Sequence, residues 1–340
     1  MTSVYDFVMV DAGAGRGPGM DLLFQRKIDR IVGSLLCAGF SLFARNSVPR
    51  RKPLPQKILV ILLSEMGSLV LACPMFEKIR KTYGTASIFV LAFERNREVV
   101  ELLELVPSDH LLTVSDVSFG RFLTDSLRVV RKMRRIGIDT VIDCELFSRV
   151  SSIFSFLSGA VIRSGFYRFT QEGLYRGSFI NRPVLYNPYR HISAQFVSLV
   201  RAIESGGRPP VKERPDGREF RAPRIRLSRS DMAAFQKRFA VDFPGVSGKK
   251  LVLLYPGGGL LPIRAWPAEK YSAVVHALAG RGYAVGIIGM GNDRPLARAI
   301  LSGAPEEACV DLTGYTRTVK ELLMLFHRAA LLITNDGGPG

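Results

Sequence analysis

The sequence has few cysteines and lacks the motifs of several common enzyme classes. Its 340 residues include 4 cysteines, none in a C-x-x-C pair, which argues against a zinc knuckle or a disulfide framework and favours a reducing compartment. The 4 histidines share no metal-ligand spacing, and no D-x-D, G-x-x-x-x-G-K-[S/T] or G-x-S-x-G motif occurs. No apolar run reaches the roughly 18 residues of a spanning helix, and the N-terminus lacks the order of a secretory signal. We therefore expect an intracellular protein with no bound metal.

The composition is that of a folded, strongly basic protein. Hydrophobic residues make up 47% and charged residues 23%, and 47 Lys and Arg against 30 Asp and Glu give a net charge of +17. Such a charge suits a polyanionic partner: a nucleic acid, an anionic membrane or a phosphorylated substrate. Nucleic-acid binding would rest on the charge alone, because no helix-turn-helix, zinc-finger or aromatic RNA-binding pattern is present. We therefore expect no nucleic-acid partner.

The chain divides into four segments by pattern. Residues 1–56 form an N-terminal extension, 57–205 a first βα series, 206–224 a proline-rich linker and 225–340 a second βα series that opens on RIRLS. In the extension, an uncharged run from Ile31 to Ala44 lies in a stretch, Arg26 to Lys57, with eight basic residues and one acid. This run predicts either a helix at the surface of an anionic membrane or a helix packed on its own domain.

Apolar runs alternate with amphipathic stretches in both series, which predicts an α/β protein with two Rossmann-like domains, parallel sheets and a central cleft. One predicted helix, 119–135, is rich in arginine and places Leu123, Leu127 and Val130 on one face. In the second series, three turns follow apolar strands: PGGGLLPIRAWP at 256–267, GMGND at 289–293 and NDGGPG at 335–340. Their glycine amides, at one edge of the sheet, would suit a diphosphate.

Three segments resemble glycosyltransferase family 9, the heptosyltransferase-like enzymes of bacterial lipopolysaccharide assembly. KILVILLSEMGSLVLACPMFEKIRKTYG, from Lys57, resembles the family's opening strand, glycine turn and first helix. Arg264-Ala265-Trp266-Pro267 resembles its basic-x-Trp-Pro motif, and DLTGYTRTVKELLMLFHRAALLITNDGGPG resembles its Thr-Gly turn, helix and strand before an Asp-x-Gly-Pro turn. The resemblance implies a GT-B fold, with the acceptor on the N-terminal half, a nucleotide-sugar on the C-terminal half, and inverting transfer without a metal or other cofactor.

The resemblance also implies site residues. The donor residues would be Gly257, Gly258, Gly259, Arg264, Trp266, Asp293, Gly314, Thr316, Asp336, Gly337 and Gly338, with Asp293 on the ribose and Trp266 either beside the base or a packing anchor. The acceptor side would include Ser64 and Gly67. By their position at the end of the strand VIDCE, Asp143 and Glu145 are either acceptor-binding residues or turn formers. With no metal, the leaving diphosphate would be held by Arg264 and the glycine-rich turns.

The sequence departs from the family at the first turn and at the end of the chain. Members commonly carry Gly-Asp where this sequence has Gly67-Ser68, and a serine cannot act as a general base near pH 7. Glu65 is the nearest carboxylate and is either the base, with Ser68 orienting the acceptor, or a solvated loop acid at a helix N-terminus. The chain ends at Gly340, before the family's donor-contacting histidine, which predicts an incomplete second domain and doubtful activity of the 340-residue form.

Two functions remain open at this stage. The first is an inverting transferase at the cytoplasmic face of a bacterial inner membrane, which moves a sugar, heptose being the family's best-known one, from a nucleotide diphosphate to a lipopolysaccharide or other lipid-linked acceptor. The second is a protein of the same fold that binds the nucleotide-sugar without catalysis, as Ser68 in place of an aspartate permits.

Overall fold

The computed structural model describes residues 28–43, 54–63, 66–146, 148–166, 175–205, 223–257 and 265–335. The chain forms two compact units, an N-terminal unit within Pro18–Ile225 and a C-terminal unit within Arg226–Gly340. The predicted linker, 206–224, lies almost wholly outside the described residues, and the domain limits and the central cleft stay predictions.

The N-terminal unit is built on a six-stranded parallel sheet with the order β3-β2-β1-β4-β5-β6. The central strands are buried apolar runs, as expected for a parallel sheet covered on both faces. The strands are β1 (Lys57–Ile61), β2 (Ser87–Phe93), β3 (Leu111–Val114), β4 (Thr140–Asp143), β5 (Ile162–Phe166) and β6 (Arg182–Val184).

Seven helices of this unit lie within the described residues. They are α1 (Ser34–Phe43, preceded by a π-helical turn at Asp29–Gly33), α2 (Met66–Leu71), α3 (Cys73–Thr82), α4 (Arg97–Leu102), α5 (Phe119–Ile136), α6 (Arg149–Leu157) and α7 (Ile192–Ser205). Right-handed crossovers place α2, α3 and α4 on one face of the sheet and α5 and α6 on the other. Helix α1 packs on α6, and α7 packs on α3.

The arginine-rich helix α5 has sharp sequence-encoded ends. The Ser118 hydroxyl accepts a hydrogen bond from the Arg121 amide at its start, and Gly137 ends it in the left-handed conformation at φ 75°. The apolar face read from the sequence contacts the core only in part: Val130 packs against it, whereas Leu123 and Leu127 are each 50% exposed. The residues of α5 that are buried are Val129 and Met133, and Phe122 packs beside them.

The C-terminal unit has a four-stranded parallel sheet with the order β10-β7-β8-β9. Its strands are β7 (Leu251–Tyr255), β8 (Ala284–Gly289), β9 (Cys309–Thr313) and β10 (Ala329–Thr334). Its helices within the described residues are α8 (Arg229–Asp242), α9 (Pro244–Ser247), α10 (Ala268–Ala279), α11 (Arg294–Leu301) and α12 (Val319–Arg328). Two apolar clusters, one on each face of the sheet, form its core.

Two local features differ from what the sequence suggested. The first helix expected after the glycine turn of the Lys57 segment is two helices, α2 and α3, which meet at Ala72. RIRLS at 224–228 has no regular secondary structure. The strand that precedes the turn at 335–340 is β10, which lies at the edge of the described strands and has Leu331 52% exposed.

Within the part of the chain that the structure describes, no helix has both the length and the apolar character needed to cross a bilayer.

Candidate active site

In the N-terminal unit, two side chains hold the backbone just before the turn that follows β1. The Leu63 amide donates to Glu145 Oε1 at 2.6 Å, and Asn96 Nδ2 donates to the Leu63 carbonyl at 2.8 Å. Glu145 follows β4 and Asn96 follows β2, the strands that flank β1. The carboxyl ends of three neighbouring strands therefore fix the residue that precedes Ser64 and Glu65.

A buried ion pair lies at the carboxyl end of β4. Asp143 Oδ2 accepts from Arg176 Nη2 at 2.5 Å, and both side chains are 0% exposed. The hydroxyls of Ser151 and Ser152 also donate to Asp143 Oδ2, and the Glu145 amide donates to Oδ1 at 3.1 Å. Burial raises the pKa of Asp143, and the Arg176 guanidinium opposes that shift. These bonds occupy both carboxylate oxygens.

The sequence placed Asp143 and Glu145 on an open edge, and the structure corrects their exposure. Asp143 is fully buried and Glu145 is 8% exposed, because the strand end is covered by Arg176, the start of α6 and the Leu63 backbone. Contact of either carboxylate with an acceptor stays a prediction. Arg176 was not identified from sequence, since no local pattern links it to a strand end 33 residues earlier.

Of the four site residues predicted in the first turn, the structure describes two, Gly67 and Ser68. Gly67 and Ser68 lie in α2 and are both half-buried, and the Ser68 carbonyl accepts from the Ala72 amide at 2.9 Å. A Cβ at Gly67 would meet no atom within 4 Å, so there is open space beside it. Ser64 and Glu65 lie outside the described residues.

In the C-terminal unit, a chain of contacts joins the ends of β7 and β10. The Tyr271 hydroxyl donates to Asn335 Oδ1 at 2.7 Å, and Asn335 Nδ2 donates to the Pro256 carbonyl at 2.8 Å. Trp266 packs edge-on against Tyr271, with ring centroids 5.7 Å apart, and is 54% exposed. Asn335 also approaches the Gly257 carbonyl at 3.4 Å. Gly257 and Trp266, two predicted donor residues, thus belong to one local arrangement.

A second group joins the ends of β8 and β9. Asp293 Oδ2 accepts from the Met290 amide at 2.7 Å and so closes the turn after β8. A Cβ at Gly289 would lie 2.7 Å from Asp293 Oδ2, so this turn requires glycine there. Gly314, at φ 70°, donates its amide to the Gly289 carbonyl at 2.9 Å. Burial and the charge of Asp293 raise the pKa of Tyr255, which keeps that phenol neutral.

Arg294 and Thr313 support this second group and were not identified from sequence. Arg294 Nη2 donates to the Thr313 carbonyl at 3.0 Å, and the Thr313 hydroxyl donates to Asp311 Oδ1 at 2.6 Å. Arg294 directly follows Asp293, and that adjacency is the sequence signal that could have indicated it. Thr316 is half-buried three residues after β9.

The remaining predicted donor residues, Gly258, Gly259, Arg264 and Asp336 to Gly338, lie outside the described residues. Among the described residues, no group of three or more His, Cys, Asp or Glu side chains could hold a metal ion. The four cysteines are free thiols, and burial raises the pKa of Cys37 to about 12 and that of Cys73 to about 11. This edge of the sheet therefore presents the exposed Trp266 indole, the exposed Arg294 and the half-buried Asp293 carboxylate, whereas the Tyr271 and Thr313 hydroxyls are buried and bonded within the protein.

Comparison with known proteins gives a consistent result. The sequence profile of glycosyltransferase family 9 (heptosyltransferase) matches residues 126–340, more than half of the chain. Lipooligosaccharide heptosyltransferase 2 of Haemophilus ducreyi is 22% identical over 286 residues, which cover 83% of this chain and 78% of that protein.

Two solved structures share the fold. ADP-heptose lps heptosyltransferase II of E. coli superposes with a TM-score of 0.65 at 18% identity, covering 83% of this chain and 80% of the other. A family 9 glycosyl transferase of Veillonella parvula gives 0.65 at 19% identity, with coverage of 87% and 78%. The α/β GT-B architecture with two parallel Rossmann-like sheets is thereby confirmed. This chain belongs to glycosyltransferase family 9, the heptosyltransferase family, and is a glycosyltransferase.

Proposed function

We propose that this enzyme transfers a sugar from a nucleoside-diphosphate donor to a lipopolysaccharide or other lipid-linked acceptor, with inversion and without a metal, at the cytoplasmic face of the inner membrane. The observation that carries the proposal is the convergence of Trp266, Tyr271, Asn335 and Asp293 on the carboxyl-end edge of the C-terminal sheet in a family 9 enzyme. Ligands of open α/β sheets bind at such an edge. The Haemophilus relative is a heptosyltransferase and the E. coli relative an ADP-heptose heptosyltransferase, so ADP-heptose is the first donor to test.

The C-terminal unit would hold the donor. The exposed Trp266 indole would lie beside the base, and Asp293, whose Oδ2 is already engaged by the Met290 amide, would accept from a ribose hydroxyl through Oδ1. The diphosphate would be held by Arg264, by the amides of Gly257, Gly258 and Gly259, and by the turn Asp336, Gly337 and Gly338, with Gly314 and Thr316 completing the rim.

The N-terminal unit would hold the acceptor and its base. Glu65 would take the proton from the acceptor hydroxyl as that oxygen attacks the anomeric carbon opposite the diphosphate, which leaves with the bonding electron pair. Attack from the opposite face inverts the anomeric configuration. Ser68 would orient the acceptor, with Ser64 and Gly67 lining its path, and Glu145 would hold the turn through Leu63.

Glu65→Gln tests the base. The amide cannot accept the proton, so we expect kcat to fall by roughly two to four orders of magnitude while the donor dissociation constant stays unchanged. Ser68→Ala is the matched variant, for which we expect a smaller loss expressed mainly in the acceptor KM. Turnover of Glu65→Gln close to wild type would eliminate Glu65 as the base.

The donor is identified by thermal stabilisation across a panel of nucleotide-sugars. A ligand at 100 times its dissociation constant adds about 2.7 kcal/mol to the free energy of unfolding. We expect one diphosphate sugar to raise Tm well above the free nucleotides, without added metal and in the presence of EDTA. A requirement for a divalent cation would contradict metal-independent transfer.

Ser68 favours a second candidate, a protein that binds the nucleotide-sugar without transferring it. That protein would show the same stabilisation by one nucleotide-sugar. It would show neither transfer to any acceptor nor hydrolysis of the donor, and Glu65→Gln would change nothing.

A further inference from the structure

Helix α1 and the turn before it turn their apolar side chains away from the protein. Ile31, Leu35, Leu42 and Phe43 are 62%, 70%, 74% and 82% exposed, and Val32, Leu36 and Ala38 are also exposed. From residue 31 to 44 the sequence carries no charge. A helix at a protein–water boundary normally has the opposite arrangement, with its apolar side toward the core. A contiguous apolar surface of this kind marks a binding surface.

Polar contacts fix the orientation of this helix. Asp29 accepts from the amides of Arg149 and Val150 at the start of α6 and pairs with the Arg149 guanidinium at 3.1 Å. At the other end, Ser41 Oγ accepts from the Tyr175 hydroxyl at 2.8 Å and from the Ser178 amide at 3.0 Å. Rotation of the helix to bury its apolar side would break these buried bonds.

The same side of the six-stranded sheet carries a basic helix. Helix α5 lies on the sheet face that also carries α6, on which α1 packs. It contains six basic residues and one acid, and Arg131, Lys132 and Arg135 are exposed. Phe119, Leu123 and Leu127, spaced four residues apart, are 45–50% exposed beside them. We call the exposed side chains of residues 30–43 and of α5 the outer face.

Charge and length decide which occupant fits the outer face. The apolar segment from 31 to 43 is about 20 Å long, too short to cross the roughly 30 Å hydrocarbon core but suited to lie in its interface. The exposed Arg30 and the arginines of α5 favour an anionic surface. A second copy of the chain would bring the same positive charge into contact with itself, which is unfavourable.

We infer that the outer face is a membrane-docking surface, with the apolar side of α1 inserted among acyl chains and the arginines of α5 against anionic headgroups. This inference rests on the proposed function, since it identifies how the enzyme would reach a lipid-linked acceptor. It places the attachment on the N-terminal unit and leaves the donor-binding edge of the C-terminal unit uninvolved.

The test is sedimentation with vesicles of phosphatidylcholine, alone or mixed with phosphatidylglycerol. We expect the full chain to sediment with the mixed vesicles at about 0.1 M NaCl and much less at about 0.5 M. Leu35→Gln/Phe43→Gln should lower the partition coefficient at least tenfold. Arg131→Glu/Arg135→Glu should lower the partition coefficient severalfold and weaken its salt dependence.

Matched controls lie on the C-terminal unit. They are Val241→Gln, at a residue 73% exposed, and Arg281→Glu/Arg298→Glu, and both are expected to bind vesicles like wild type.

Two further measurements separate this inference from misfolding and from the proposed function. The outer-face variants should keep the wild-type Tm and the wild-type kcat on a water-soluble acceptor. If no acceptor is glycosylated but vesicle binding follows the expected pattern, the proposed function fails and the docking surface stands. Equal binding of Leu35→Gln/Phe43→Gln and Val241→Gln would overturn the inference. The inference would also be overturned if the wild-type protein self-associated without lipid and the α1 substitutions abolished that self-association.

Discussion

The two units close the carboxyl ends of their parallel sheets in different ways. In the N-terminal unit, that edge contains a fully buried ion pair, Asp143 with Arg176, and a clamp of Glu145 and Asn96 on Leu63. In the C-terminal unit, Trp266, Met290 and Arg294 are exposed at that edge and Asp293 is half-buried. The charged groups of the first edge are buried and bind one another and the backbone, whereas an indole and charged groups of the second edge remain accessible to a ligand.

This difference shows that the carboxyl-end edge of a parallel sheet need not have the same role in two domains of the same topology. A carboxylate at a strand end is commonly a ligand-binding group, yet Asp143 has all its hydrogen-bonding capacity satisfied within the fold. Substitutions at the first edge should therefore change stability or the position of the turn. Substitutions at the second edge should change ligand affinity.

The largest expected effect is that of Asp143→Ala. It leaves the buried Arg176 guanidinium without its counter-charge, and removal of one partner of a buried pair costs about 3–5 kcal/mol of unfolding free energy. Chemical denaturation at pH 7 measures the loss. Asp143→Ala combined with Arg176→Leu should recover much of it, and a loss under about 1 kcal/mol would break the contrast between the two edges.

The Leu63 clamp is expected to affect turnover. Glu145→Ala removes the acceptor of the Leu63 amide and should lower kcat by roughly one to two orders of magnitude, because small displacements of reacting groups are costly. Glu145→Gln keeps an oxygen for that bond and should restore most of the rate. A change confined to the acceptor KM in Glu145→Gln would instead indicate that the carboxylate itself contacts the acceptor.

Tyr271→Phe tests the accessible edge. The substitution removes the hydroxyl that donates to Asn335 but keeps the ring that packs against Trp266. Asn335 would then be held less firmly against the Pro256 and Gly257 carbonyls, so donor binding measured by calorimetry should weaken by at most about fivefold, the equivalent of one hydrogen bond of about 1 kcal/mol. Tyr283→Phe, just before the amino end of β8, is the control and should leave the donor dissociation constant unchanged.

The smallest expected effect is on pH dependence, at the surface ion pair Arg238–Glu321 of the C-terminal unit. Hydrogen bonding from Arg238 at 2.7 Å lowers the pKa of Glu321 below its usual 4.5. The stabilisation is therefore present above about pH 4.5 and is lost as pH falls through the lowered pKa. Glu321→Gln should lower stability by about 0.5 kcal/mol at pH 7, and the difference from wild type should vanish in acid. A difference that does not decline at all as the pH falls below 4.5 would contradict this account.

Local sequence patterns predicted most of the helices and strands, because the residues that begin and end such an element lie within it or directly beside it in the sequence. Helix α5 begins at a capping serine and ends at a glycine with positive φ, and the apolar run SIFVLAF forms β2 over its full length. Strands β7 and β8 end at Tyr255 and Gly289, where the sequence predicted that the glycine-rich segments 256–267 and 289–293 follow strands. At Gly289 the reason is local, because a Cβ there would collide with Asp293. The three sequence segments that resemble family 9 also indicated the family, because their order and spacing can be read directly from the sequence.

The roles of particular side chains depended on contacts between distant residues. Arg176 meets Asp143 across 33 positions, and Tyr271 meets Asn335 across 64, so neither pairing leaves a local periodicity to read. The orientation of α1 is set by Asp29 and Ser41 against residues more than 100 positions away. Sequence thus determined the α/β elements, the charge and the family, because those follow from neighbouring residues. The tertiary structure alone decided which carboxylates are buried and which apolar side chains face outward, because burial is a property of what the rest of the chain packs against.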